Sequence, residues 1–109
     1  MTLKQLIELG DVQEKQAFAY LCYLNSKNTS VAQLQQQVDT YCNNLADTFI
    51  LKYKNILQDK NILVGLRKHI SWIGADKPHS GNRFYEALHN SLNNMELEGS
   101  NNLAEDKLL

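Results

Sequence analysis

Apolar residues recur along this chain in steps of three and four, the spacing that brings side chains to one side of an α-helix. The longest series is Val31, Leu34, Val38, Tyr41, Leu45, Phe49, Tyr53 and Ile56. Read as one unbroken stripe, it predicts a helix over 31–58, about 42 Å long at the usual rise. Ile62, Leu63, Leu66, Ile70 and Ile73 predict another, closed by Gly74. Tyr85, Leu88, Leu92 and Met95 predict one more. β-branched residues nowhere alternate over a long run, so no strand is expected.

Capping signals divide the N-terminal third. Thr2 with Gln5 and Ser30 with Gln33 have the spacing of a capping box, and Asp11 with Glu14 is a looser version. Gly10 suits the left-handed position that ends a helix. Together they predict two helices, 3–9 and 12–24, separated at Gly10. A polar turn near Asn28 follows.

The fold class read from these signals is all-α. It is a four- to five-helix bundle built on one long central helix, 31–58, because short connections favour antiparallel neighbours. A single helical domain is expected over 1–97. Residues 98–109 are polar and acidic with no stripe, and read as a flexible, disordered acidic tail. The central helix would outrun its partners. Its surplus would be covered either by short helices laid end to end or by a second copy, a homodimer through the long helix.

Length and cysteines narrow the class further. A chain of 109 residues can bury a core without disulfide or metal staples. It has no apolar run long enough to span a membrane, and its first residues lack a signal-peptide pattern. Cys22 and Cys42 would sit at different heights on adjacent helices, too far apart to bridge. Both read as small buried apolar residues. The expected setting is cytoplasmic.

Catalytic and metal patterns are thin. Glu86-x-x-His89 matches one carboxylate–histidine pair of di-iron bundles, but that chemistry needs two such pairs and further inward glutamates. His69, His79 and His89 have no second ligand at zinc spacing. There is no nucleophile elbow. Neither cysteine has a basic neighbour in sequence to activate it. The expectation is a chain that is not an enzyme and uses no cofactor and no metal. Residues 3–21 have the outline of a helix-turn-helix, but the second helix would present Gln13, Glu14, Lys15 and Gln16, too acidic for phosphates. An ordinary helical corner is the expectation there.

Charge is what remains. Net charge is −1, yet residues 52–83 carry seven cationic side chains against Asp59 and Asp76, while residues 1–51 and 84–109 are both acidic. The stretch "WIGADKPHSGNRF" (72–84) concentrates tryptophan, proline, glycine and cations ahead of a helix N-terminus. Such an end attracts anions, although the P-loop spacing is missing. Three readings of this stretch stand side by side: a connector in which Ser80 or Asn82 caps the next helix, a protein-binding surface, and a phosphate or nucleic-acid site. The candidate partner-binding residues are Lys52, Lys54, Arg67, Lys68, Trp72, Lys77, His79 and Arg83. Asn and Gln make up 20 of the residues, which adds neutral hydrogen-bonding surface and weakly favours a macromolecular partner.

The function expected is a small non-catalytic protein-interaction module. Inhibitors, immunity factors, adaptors and accessory subunits of larger assemblies, such as bacteria and phage use, are chains of this kind. The alternative is a nucleic-acid-binding helical protein that uses the basic segment 52–83.

Overall fold

A computed structural model describes residues 1–27 and 30–108, and the side chains of residues 1–95 among them. Five helices follow one another: α1 (Leu3–Asn25), α2 (Val31–Lys52), α3 (Lys54–Leu57), α4 (Lys60–Trp72) and α5 (Arg83–Leu108). The described residues contain no strand, and the all-α class expected from the sequence is the one adopted. The turn expected near Asn28 lies outside the described residues. So do the side chains of the acidic tail expected over 98–109, where the backbone of α5 continues to Leu108.

The N-terminal capping box is made in full: Gln5 N–H donates to Thr2 Oγ1 (3.2 Å), and Thr2 N–H donates to Gln5 Oε1 (2.8 Å). Ser30 Oγ likewise accepts from Gln33 N–H at the start of α2. The third box does not form. α1 runs unbroken through Gly10, so the two helices and the corner expected at residues 3–24 are one rod. The reason is tertiary. Gly10 is buried, and a Cβ there would stand 2.6 Å from the Tyr85 hydroxyl and 3.0 Å from its ring. Glycine is needed here for close approach, not to end a helix.

The long stripe also breaks earlier than expected. α2 stops at Lys52, Tyr53 adopts φ −108° and ψ 22°, and α3 is a single turn. Tyr53 and Ile56 would both point inward on a straight rod. Instead Leu57 is buried and those two are half-buried, so the inward register has slipped by one residue. α2 has 22 residues against 23 for α1, so it does not outrun its neighbour. The length argument for a second copy therefore lapses.

The inward seam of α2 is Val38, Cys42, Ala46 and Phe49, with Leu34, Leu45 and Ile50 packed at its flanks. The small side chains at 42 and 46 let α5 lie close. α5 brings Phe84, Tyr85, Ala87, Leu88 and Leu92 into the core, and Phe84 meets Phe49 edge-on at 5.5 Å. Burial pushes the Cys42 thiol up to about 11. Cys22, expected to be buried, is exposed on α1, and both cysteines are unbridged.

Asp59 starts α4 by accepting the Asn61 N–H at 2.9 Å. Gly74 stops it as expected, at φ +80°. Gly74 N–H donates to the Ser71 carbonyl and Ala75 N–H to the Ile70 carbonyl, the two bonds of a Schellman end, with Ala75 fully buried beneath. The connector returns through Gly81 to Asn82, whose carbonyl accepts the first bond of α5 from Glu86 N–H.

Two glycines inside helices give opposite predictions. In Gly10→Ala, up to about 1 kcal/mol of helix propensity is gained. It is outweighed by the displacement of a hydrogen-bonded ring, so a net loss of about 1–3 kcal/mol is expected. A Cβ at Gly65 meets only the tip of the half-buried Leu3 side chain, which can turn away. Gly65→Ala is expected to be neutral or stabilising, by up to about 1 kcal/mol. Urea melts of the two variants test this, and equal midpoints would contradict the close-approach role of Gly10.

Candidate functional site

The middle of α4 lies alongside the first turn of α1, where Gly65 faces Leu3. α4 ends after 13 residues, while α1 continues to residue 25. At about 1.5 Å per residue, several turns of α1 are left uncovered beyond Trp72. A cleft of about 570 Å³ opens there. Glu14, Lys15, Phe18 and Leu21 line it from α1, His69 and Ile73 from the end of α4, and Arg83 and Tyr85 from the start of α5.

Tyr85 forms its inner wall. The ring packs edge-on against His69 at 5.6 Å. The hydroxyl lies 2.7 Å from Asp11 Oδ1 and 3.0 Å from the Ile7 carbonyl oxygen, two acceptors for its one proton. Burial first, and then the bond to Asp11, holds this hydroxyl far above the usual tyrosine range, so it stays protonated.

Glu14 is the more informative carboxylate. Its Oε2 accepts the Phe84 N–H at 2.9 Å, so a residue of α1 caps the N-terminus of α5. Oε1 is buried without a hydrogen-bond partner among the described residues. Burial raises the carboxyl above its ordinary value, against the lowering effect of the Phe84 and Tyr85 amides and of Arg83. The helix end that the sequence offered to an external anion is thus already occupied by the chain's own carboxylate. The Asp11–Glu14 pair, which looks like a local cap in the sequence, bonds to Tyr85 and Phe84, seventy or more residues away.

The rim differs in character from the wall. Trp72 is 84% exposed and stands beside His69, with ring centroids 6.4 Å apart. Phe18, in the lining of the cleft, is 66% exposed. Lys15 and Arg83 supply the cations, and Arg83 reaches Asp39 only loosely, at 3.9 Å with both side chains open to water.

The eight candidate residues do not converge on one site. Arg83 lines the cleft, and Trp72 stands beside His69 of its wall. His79, at φ 61°, joins Arg83 at a second, polar cleft of about 360 Å³ beside Asp39 and Glu86. Lys77 is exposed in the connector, and Lys68 on the outer side of α4. Arg67 turns to α5, where Nη1 donates to Asn93 Oδ1 at 2.9 Å. Lys52 lies over the Tyr53 ring and lines a separate groove with Leu9 and Gln13, and Lys54 is exposed on α3. Glu86 accepts from Ser80 Oγ, and His89 pairs with Asn93. No group of three or more metal-binding side chains is found among the described residues.

Sequence reasoning missed Lys15, Phe18, His69 and Tyr85. The usable signal was the α1 seam Leu6, Gly10, Ala17 and Leu24, which leaves Phe18 beside the buried face instead of on it. Reading Gly10 as a terminator hid that seam.

Glu14 makes a pH prediction. Its folded value is raised above the unfolded 4.5, so its stabilising contribution is complete below about pH 4.5 and is lost as pH rises through the folded value. Glu14→Gln keeps an acceptor for Phe84 N–H and cannot ionise. Its stability relative to the unmodified protein is expected to improve steadily from acid to neutral pH in urea melts. Parallel pH profiles for the two proteins would mean that burial does not govern this carboxyl.

No protein-family model, no curated protein and no solved structure matches this chain, so the residues themselves carry the functional reading.

Proposed function

We propose that this protein is a small non-catalytic protein-interaction module, an inhibitor, immunity factor, adaptor or accessory subunit of a larger assembly. In this reading the partner docks at the cleft between α1, α4 and α5. One observation carries it: two strongly exposed aromatic side chains belong to this region, Phe18 in the lining of the cleft and Trp72 beside His69 of its wall. Aromatic anchors with desolvatable surroundings are the residues from which interfaces draw most of their energy. Asp11 and one oxygen of Glu14 are bonded to Tyr85 and Phe84, so part of the inner wall's polarity serves the fold, which favours a docking surface over a reaction centre. No cofactor is required.

Nucleic-acid binding through residues 52–83 is the second reading. It draws on Lys68 and Trp72, one turn apart on α4 and both exposed, where a base could stack beside a paired phosphate. It is weakened by the scatter of the other cations, because affinity for phosphates grows with the number neutralised together. No described helix is long and apolar enough to cross a membrane. The exposed, unpaired Cys22 thiol suits a reducing compartment, and we place the protein in the cytoplasm.

A tagged-protein pull-down with and without nuclease tests the proposal. The expected result is a captured protein that survives nuclease and is lost, by about tenfold or more, in the Phe18→Ala/Trp72→Ala double variant. Both side chains are largely solvated, so the melting temperature should hardly move. Capture of nucleic acid alone defeats the docking reading.

A further inference from the structure

Resting on that reading, we infer that the occupant of this surface is an acidic amphipathic helix of a protein partner. It lies along the outer ridge of α4 and sets one bulky apolar side chain beside Trp72, towards the cleft that Phe18 lines.

The ridge is Lys60, Val64, Lys68 and Trp72, each four residues after the last and all exposed. Residues four apart form the ridge by which helices most often interdigitate, crossing at about 50°. Each step turns about 40° around the axis. From Lys60 to Trp72 the ridge therefore winds towards the side that carries His69 and Ile73, and it ends at the cleft. Its length, about 18 Å, is that of roughly three helical turns.

Chemistry selects the partner. α4 contains Lys60, Arg67 and Lys68 and no acidic residue. With Arg67 directed to Asn93, the two lysines remain on the outer face, either side of the half-exposed Val64. Carboxylates flanking an apolar side chain complement that order, whereas cations would be repelled. The same order disfavours a second copy of this chain, since pairing the ridge with itself offers its two lysines no carboxylate. It disfavours nucleic acid as well: two phosphate contacts carry little affinity at physiological salt, and Val64 and Phe18 give a backbone of phosphates nothing to bind.

The test uses the full chain and three fluorescein-labelled probes, read by anisotropy at low salt and at about 0.3 M salt. Two are helix-forming peptides of about 18 residues with Leu and Phe on a ridge of four-residue spacing, one flanked by Glu and the other by Lys. The third is an oligo-dT strand of about 20 nucleotides. The Glu peptide is expected to bind at least about tenfold more tightly than either other probe. A further loss of about tenfold is expected in K60E/K68E and in Trp72→Ala. Failure of the Glu peptide to bind, equal binding of the Lys peptide, tighter binding of oligo-dT, or a sedimenting dimer that K60E/K68E strengthens would each overturn the inference. The docking reading is judged separately. If nuclease-resistant capture depends on Phe18 and Trp72 but ignores K60E/K68E, docking stands and the acidic helix falls.

Discussion

The placement of α5 depends on one missing side chain. At Gly10 the surface of α1 has a notch, and the Tyr85 ring fills it. Burying Phe84 and Tyr85 contributes about 1.5–3 kcal/mol each. The hydrogen bonds at the same junction, Tyr85 to Asp11 and Phe84 N–H to Glu14, contribute about 1 kcal/mol each net, somewhat more where the acceptor is ionised. The rings therefore supply most of the attraction. The bonds decide register, because a shift of α5 by one residue would leave two carboxylates and a hydroxyl without partners in a half-buried place. From that anchor α5 is held along the Cys42–Ala46 seam of α2, and its first turn becomes one wall of the cleft.

This junction also explains where the sequence was legible. Helix content, the Thr2 and Ser30 starts and the Gly74 stop are local matters: a cap bonds within three residues, and a Schellman turn closes within six. Gly10 and Glu14 are not local. Glycine ends helices because it tolerates left-handed backbone, and it permits close packing because it lacks a Cβ, and a single sequence does not separate the two uses. Glu14 bonds an amide seventy residues away through the same chemistry it would use at its own helix start. The break at Tyr53 escaped notice for a different reason. Ile56 and Leu57 are both apolar, so the stripe reads through a register slip that exchanges one for the other.

The candidate site was legible in halves. Lys68, Trp72 and Arg83 drew attention through charge and composition, and they belong to α4 and the start of α5. Their counterparts Lys15, Phe18 and His69 carry no such mark, because each is an ordinary residue on an ordinary helix. They become a site only when α4 stops short of α1. Lys52 and Lys54 were grouped with the rest by sequence position, yet the turn at Tyr53 and Asp59 places Lys52 on a different groove.

The proposed docking surface draws on the same geometry. At the inner wall the Tyr85 hydroxyl is bonded to Asp11 and the amide of Phe84 to one oxygen of Glu14. Around it are the exposed rings of Trp72 and Phe18, the half-buried apolar Leu21 and Ile73, and the cations Lys15 and Arg83. Apolar surface left in water by a lone chain and removed from it by a partner is the ordinary source of association energy. The short α4 produces that surface at no cost to the core, since its inward residues Leu66 and Ile70 are fully packed before the helix ends. Trp72 can thus be exposed without weakening the bundle, as the proposed docking role requires.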